Sequence, residues 1–243
     1  MNRLLIIILV ISICVNLLSI FILYKAYYYR KNMILAWSAT EEWVTQFSKV
    51  HQSENTQYSK GKIVLLGASI TQDWNISKYF DDNILINKGI GGQFSGQYLL
   101  RFKHDVIDLK PEAVIIKLCE INISHNIPFE ISRDNVIMMT QLANANGIRP
   151  ILASMIPVTE EFDKNRSTKD ITKEIVEFNS WLKNYAVENG YDYIDYASAM
   201  SDKNNYLNVE LAIDGIHPNE KGYEIMAQVL RKELMTIKQR KSN

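Results

Sequence analysis

Five short apolar runs, separated by stretches of helix length, constrain this chain more than any other feature. They are residues 62–66 (KIVLL), closed by Gly67; 84–87, leading into GIGG; 113–119 (AVIIKLC), after Pro111; 149–155, after Asn146-Gly147; and 191–196, after Asn189-Gly190. Runs this short and this continuously apolar read as strands buried on both faces, because a strand with one face in water would alternate. The stretches between them, 95–109, 130–146, 170–189 and 219–238, read as helices, and the Asn-Gly pairs are helix stops. Parallel strands need such crossovers, since a tight turn cannot join them. The expected fold class is therefore α/β, a three-layer α/β/α sandwich around a five-stranded parallel sheet. A flavodoxin-like strand order is expected with it, although periodicity does not itself dictate the order.

A sixth apolar run has a different length. Residues 4–24 (LLIIILVISICVNLLSIFILY) carry no charge. As a helix they span about 31 Å, matching the roughly 30 Å hydrocarbon core of a bilayer. Arg3 precedes the run, and Lys25, Arg30 and Lys31 follow it among Tyr24, Tyr27, Tyr28 and Tyr29, residues suited to a membrane interface. No small-residue cleavage site follows, and Ile13 is too bulky ahead of Cys14 for a lipoprotein signal, so an uncleaved transmembrane helix is expected. The heavier positive flank after the run favours a cytoplasmic domain, whereas the very short tail with Arg3 favours export. We expect a single-pass protein of the cell membrane with its domain on the extracytoplasmic side. Residues 33–52 place Leu35, Trp43, Phe47 and Val50 near helical spacing. The expected organisation is thus an anchor with its basic and aromatic flank over 1–32, a helical stalk or linker over 33–60, and the α/β domain over 61–243.

Lysine and arginine together number 27, as do aspartate and glutamate. A nucleic-acid partner is not expected of so neutral a chain, and the basic tail Lys238, Arg240, Lys241 reads as a solvated helix end. Cys14 lies in the membrane run and Cys119 at a strand end, so no disulfide between them is expected.

Open parallel sheets bind ligands beyond the carboxyl ends of their strands, which singles out residues 67–69, 89–92, 120–122 and the stretch from Pro157. Ser69, in GASIT, follows the first run. A serine there is either a helix cap or, with a base to take its proton, a nucleophile. Asp214 and His217, in DGIHP, precede the last helix. An acid three residues before a histidine can hold one imidazole nitrogen while the other faces a nucleophile. Equally, Asp-Gly is a turn and proline opens helices. Neither segment decides the matter alone.

Taken together, a serine after the first strand and an Asp-x-x-His before the last helix stand in the chain order of one known group. GASIT resembles the GDSxT block of the SGNH, or GDSL-like, hydrolases; NKGIGGQ resembles their second block; DGIHPNEKGY resembles their final one. The resemblance covers about residues 62–235. It implies a three-layer α/β fold and hydrolysis of acyl esters without a cofactor. It makes Ser69 the nucleophile, His217 the general base and Asp214 its orienter. The oxyanion hole would combine the N–H groups of Ser69 and Gly92 with an asparagine side chain.

The sequence departs from the family pattern in two blocks. Ala68 stands where the first block usually has Asp. The third block, usually Gly-x-Asn-Asp, reads Cys119-Glu120-Ile121-Asn122-Ile123. Counting without gaps from Pro111 puts Ile121 in the asparagine slot and Asn122 in the aspartate slot. A shift of one residue puts Asn122 in the asparagine slot instead. The shifted reading is preferred, because Ile121 has no donor, and it makes Asn122 the third oxyanion-hole group. Other motifs carry less. Gly89-Ile90-Gly91-Gly92 is not a dinucleotide fingerprint, as Phe94 fills its last glycine slot. His51, His104, His125 and His217 lack ligand spacing, so no metal is expected. The polar stretch 157–169 (PVTEEFDKNRSTK) reads as a loop bordering the site. The function expected is a membrane-tethered esterase acting on small-molecule, glycan or lipid acyl esters, short-chain or O-acetyl. An O-acyltransferase on cell-surface glycan and a non-catalytic binding protein remain as alternatives.

Overall fold

The computed structural model describes residues 3–52, 61–80, 84–166 and 170–242. The chain divides into two compact units, Met1–Ser53 and Glu54–Asn243. The first is one continuous helix, α1 (Arg3–Gln52). Its segment Arg3–Arg30 is long and apolar enough to cross a membrane, and its apolar side chains from Leu4 to Leu23 are exposed. No break in the helix marks residue 32, and residues 53–60, part of the expected stalk, lie outside the described residues.

The second unit is a single parallel sheet of β1 (Ile63–Gly67), β2 (Leu85–Gly89), β3 (Ala113–Lys117), β4 (Arg149–Ala153) and β5 (Asp192–Ile194), in the order β2-β1-β3-β4-β5. That is the flavodoxin-like order, with helices on both faces. The alternate residues of each strand feed two separate cores. Val64, Leu66, Val114 and Ile116 face one, with Tyr98, Phe102, Met139 and Phe178; Ile63, Leu65, Ala113 and Ile115 face the other, with Trp74, Tyr196, Met226 and Leu230. Burial on both faces is why these runs do not alternate.

The connections are α2 (Ser69–Gln72), α3 (Ser95–Phe102), α4 (Ile121–Ser124), α5 (Phe129–Ala145), α6 (Glu160–Arg166), α7 (Ile171–Asn189), α8 (Tyr196–Met200) and the C-terminal α9 (Glu220–Ser242). Two differ from expectation. The helix expected over 95–109 gives way after Phe102 to a π-helical turn, Lys103–Ile107. The stretch expected to be a loop, 157–169, contains α6; its first turn holds Glu160, Glu161 and Asp163, which suits a helix N-terminus. The Asp163 carboxylate accepts from the N–H groups of Ile171 and Thr172 at 2.8 and 3.1 Å, satisfying the start of α7.

The carboxyl ends of β1 and β2 are crowded by α2. The loop after β2 must turn beside this helix, which lies so close that a Cβ on Gly89 would fall 2.1 Å from the Gln72 backbone nitrogen. Only glycine permits that approach. Gly92 has φ +72°, a conformation glycine adopts without steric cost.

Candidate active site

Ser69 opens α2 immediately beyond β1, and its side chain caps nothing: Ala68 holds the N-cap position, without a side-chain hydrogen bond. Thr71 and Gln72 both donate to the Ala68 carbonyl, at 3.1 and 2.8 Å, which turns the chain sharply at the serine. The Ser69 N–H stands in the first turn, where no intrahelical acceptor exists.

His217 arrives from the loop before α9. Its Nε2 lies 2.9 Å from Ser69 Oγ, and its Nδ1 lies 2.8 Å from Asp214 Oδ2. The other carboxylate oxygen of Asp214 accepts from the N–H groups of Ile216 and His217, both at 2.7 Å. One aspartate therefore fixes both the loop and the ring. Partial burial works to raise the Asp214 pKa, but the His217 hydrogen bond and the two backbone donors outweigh it and hold the carboxyl below its ordinary range. The loop is also tied to the neighbouring segment, where Thr159 N–H donates to Gly215 O at 2.9 Å. A cavity of about 440 Å³ opens against Asp214 and Gly215, walled by Thr159, Phe162, Asn165 and Ile213.

Two hydrogen bonds thus join the Ser69 hydroxyl, the His217 ring and the Asp214 carboxylate in sequence. A family model of the GDSL-like lipase/acylhydrolase family matches residues 65–225, from β1 into α9. The chain belongs to that family. Solved GDSL-like structures are similar over most of the chain. A GDSL-like lipase from Bacteroides thetaiotaomicron is 29% identical, with TM-score 0.71, over 80% of this chain and 98% of its own. A putative acylhydrolase from Bacteroides fragilis is 32% identical, with TM-score 0.70, over 79% of this chain and 96% of its own. An uncharacterized lipoprotein of Bacillus subtilis, YqeF, is 30% identical over 82 residues, 31% of this chain and 34% of that protein. The chain thus spans about a third of the length of that curated relative.

The third GDSL-like block departs from the expectation for Asn122. Its side chain is buried and fully engaged: Nδ2 donates to Ser95 Oγ at 2.8 Å and to Ser132 Oγ at 2.9 Å, while Oδ1 accepts from Ser95 N–H at 3.0 Å. An amide has two donor hydrogens, and both are used, so none is left for an oxyanion. The Asn122 amide is thus taken up by Ser95 and Ser132, while Ile121 packs against the core.

Gly92 lies on the exposed turn after β2, between neighbours that are held. Ile90 N–H donates to Gly67 O at 3.1 Å, and Gly91 N–H to Gln72 Oε1 at 2.8 Å. Two groups drew no role from the sequence. Glu120 is buried within electrostatic reach of His217 and Asp214; burial pushes its pKa up, against the pull of its own backbone N–H, Lys117 and His217. Cys119 is also buried, and burial and the nearby Glu120 push its thiol up to about 12. Position after β3 was the available signal for both.

Proposed function

We propose that this GDSL-like hydrolase is a membrane-tethered serine esterase. The observation that carries the reading is the 2.9 Å approach of His217 Nε2 to Ser69 Oγ, with Asp214 2.8 Å behind the ring. His217 takes the Ser69 proton as Oγ attacks the ester carbonyl carbon. The C=O pair moves onto oxygen, forming a tetrahedral oxyanion. Collapse expels the alcohol, which receives the proton from His217, and leaves an acyl-Ser69 ester. Water then attacks that ester, giving its proton to His217, and Ser69 is regenerated with release of the acid.

The oxyanion hole is assigned to backbone donors, the N–H groups of Ser69 and Gly92, without Asn122. Backbone donors cost no reorganisation during reaction, and one is worth about 3 kcal/mol. The cavity beside Asp214 exceeds what an acetyl group fills, which leaves room for the alcohol of an O-acetylated glycan or a lipid. The segment Arg3–Arg30 supplies the tether.

Nitrophenyl acetate hydrolysis by the full-length chain in detergent tests this reading. Ser69→Ala and His217→Ala are each expected to lower kcat by about a thousandfold or more. Either variant retaining wild-type kcat would overturn the assignment.

A further inference from the structure

The guanidinium of Arg101, in the last turn of α3, is 4% exposed and reaches three segments that converge on the site. Its Nη2 donates to Gly67 O, the last carbonyl of β1, at 2.9 Å. Its Nη1 donates to Lys88 O in β2 at 2.8 Å and to Asp105 Oδ2 at 2.7 Å. Its Nε donates to Gln93 Oε1 at 2.6 Å, and its central carbon lies 5.2 Å from the Tyr98 ring centre. Asp105 belongs to the π-helical turn that interrupts the helix after Phe102, and it is as deeply buried as its partner.

Burying an ion pair is costly, and its removal in favour of apolar residues is often neutral for stability. Helix-to-sheet adhesion alone does not account for a buried arginine here. What arginine supplies, and lysine cannot, is a rigid fork of donors that engages several acceptors at fixed angles. The acceptors chosen are informative. Gly67 lies two residues before Ser69, and its carbonyl also receives the Ile90 N–H. Gln93 directly follows Gly92. Ile90, Gly91 and Gln93 are thus each held, on either side of Gly92.

We propose that Arg101 is a positioning residue that acts through Gln93 to hold the Gly92 turn at a fixed separation from Ser69. The inference rests on the reading of Ser69 as nucleophile and Gly92 as oxyanion donor. It assigns the Gln93 side chain a single role, that of acceptor, so only variants that lose the acceptor should impair the site. The loss should fall on the chemical step, because an oxyanion forms only after substrate is bound.

The test compares Gln93→Leu with Gln93→Glu in the full-length chain in detergent. Turnover of nitrophenyl acetate is normalised to the number of sites that a fluorophosphonate labels to completion, which removes misfolded protein from the comparison. Gln93→Leu is expected to lower kcat per labelled site by about tenfold to a hundredfold, the scale of a small misplacement, with KM within about twofold. Gln93→Glu keeps the acceptor oxygen and is expected to stay within about threefold of wild type. If Gln93→Leu does not fold, Gln93→Ser, too short to reach the guanidinium, carries the same expectation. Wild-type kcat per site in Gln93→Leu, or equal loss in Gln93→Glu, would overturn the clamp while leaving the esterase reading intact. A wild-type protein that neither labels at Ser69 nor turns over would overturn both.

Discussion

Glu120 is the residue that fits least comfortably with an oxyanion site, since a carboxylate there would oppose developing negative charge. Burial pushes its pKa up, a direction that favours the protonated, neutral form. An acid whose pKa is higher folded than unfolded binds more protons in the native state. Its contribution to stability is complete below the unfolded value, near 4.5, and is lost as pH rises through the folded one. Glu120→Gln has no such proton to lose. The variant is expected to melt close to wild type near pH 4 and above it at pH 7, with a gap that widens as pH rises. Thermal melts across that range check this, and a gap independent of pH would contradict it. Asp214 shows the opposite shift, which favours its charged carboxylate.

Asn122 belongs to the scale of elements, because it joins three of them: it sits in α4, holds the first residue of α3 through Ser95 and reaches α5 through Ser132. Asn122→Leu would leave buried partners unpaired. It is expected to lower stability by about 2–4 kcal/mol in denaturant unfolding, with kcat per labelled site changed less than tenfold. A loss of a hundredfold or more with unchanged stability would return Asn122 to the oxyanion hole. Residue patterns made the sheet legible, because strands buried on both faces must be continuously apolar and their ends carry glycine. They made Ser69, Asp214 and His217 legible as a set through their chain order. They left the third block ambiguous, since the partners of Asn122 lie 27 and 10 residues away in the chain, where no local pattern reveals them. For the same reason α6 was unreadable: its stretch has no apolar stripe, and its Asp163 is buried against the start of α7. Nothing in the sequence sets Arg101 apart, because its acceptors are carbonyls of two strands and the side chains of Gln93 and Asp105.

The whole molecule joins an apolar helix, Arg3–Arg30, to a GDSL-like hydrolase domain. An unbroken helix of this composition is expected to keep the full-length protein in the membrane fraction after carbonate washing, with Met1 to Tyr24 retained in the mature chain. That location brings the central claim, a nucleophilic Ser69, within reach of one direct measurement. Washed membranes carrying the full-length chain are treated with a fluorophosphonate, and the modified residue is located by peptide mass spectrometry. A nucleophilic Ser69 predicts one adduct, on Ser69 itself, that is lost in Ser69→Ala and greatly slowed in His217→Ala. An unlabelled wild-type chain, or equal labelling of Ser69→Ala, would contradict it.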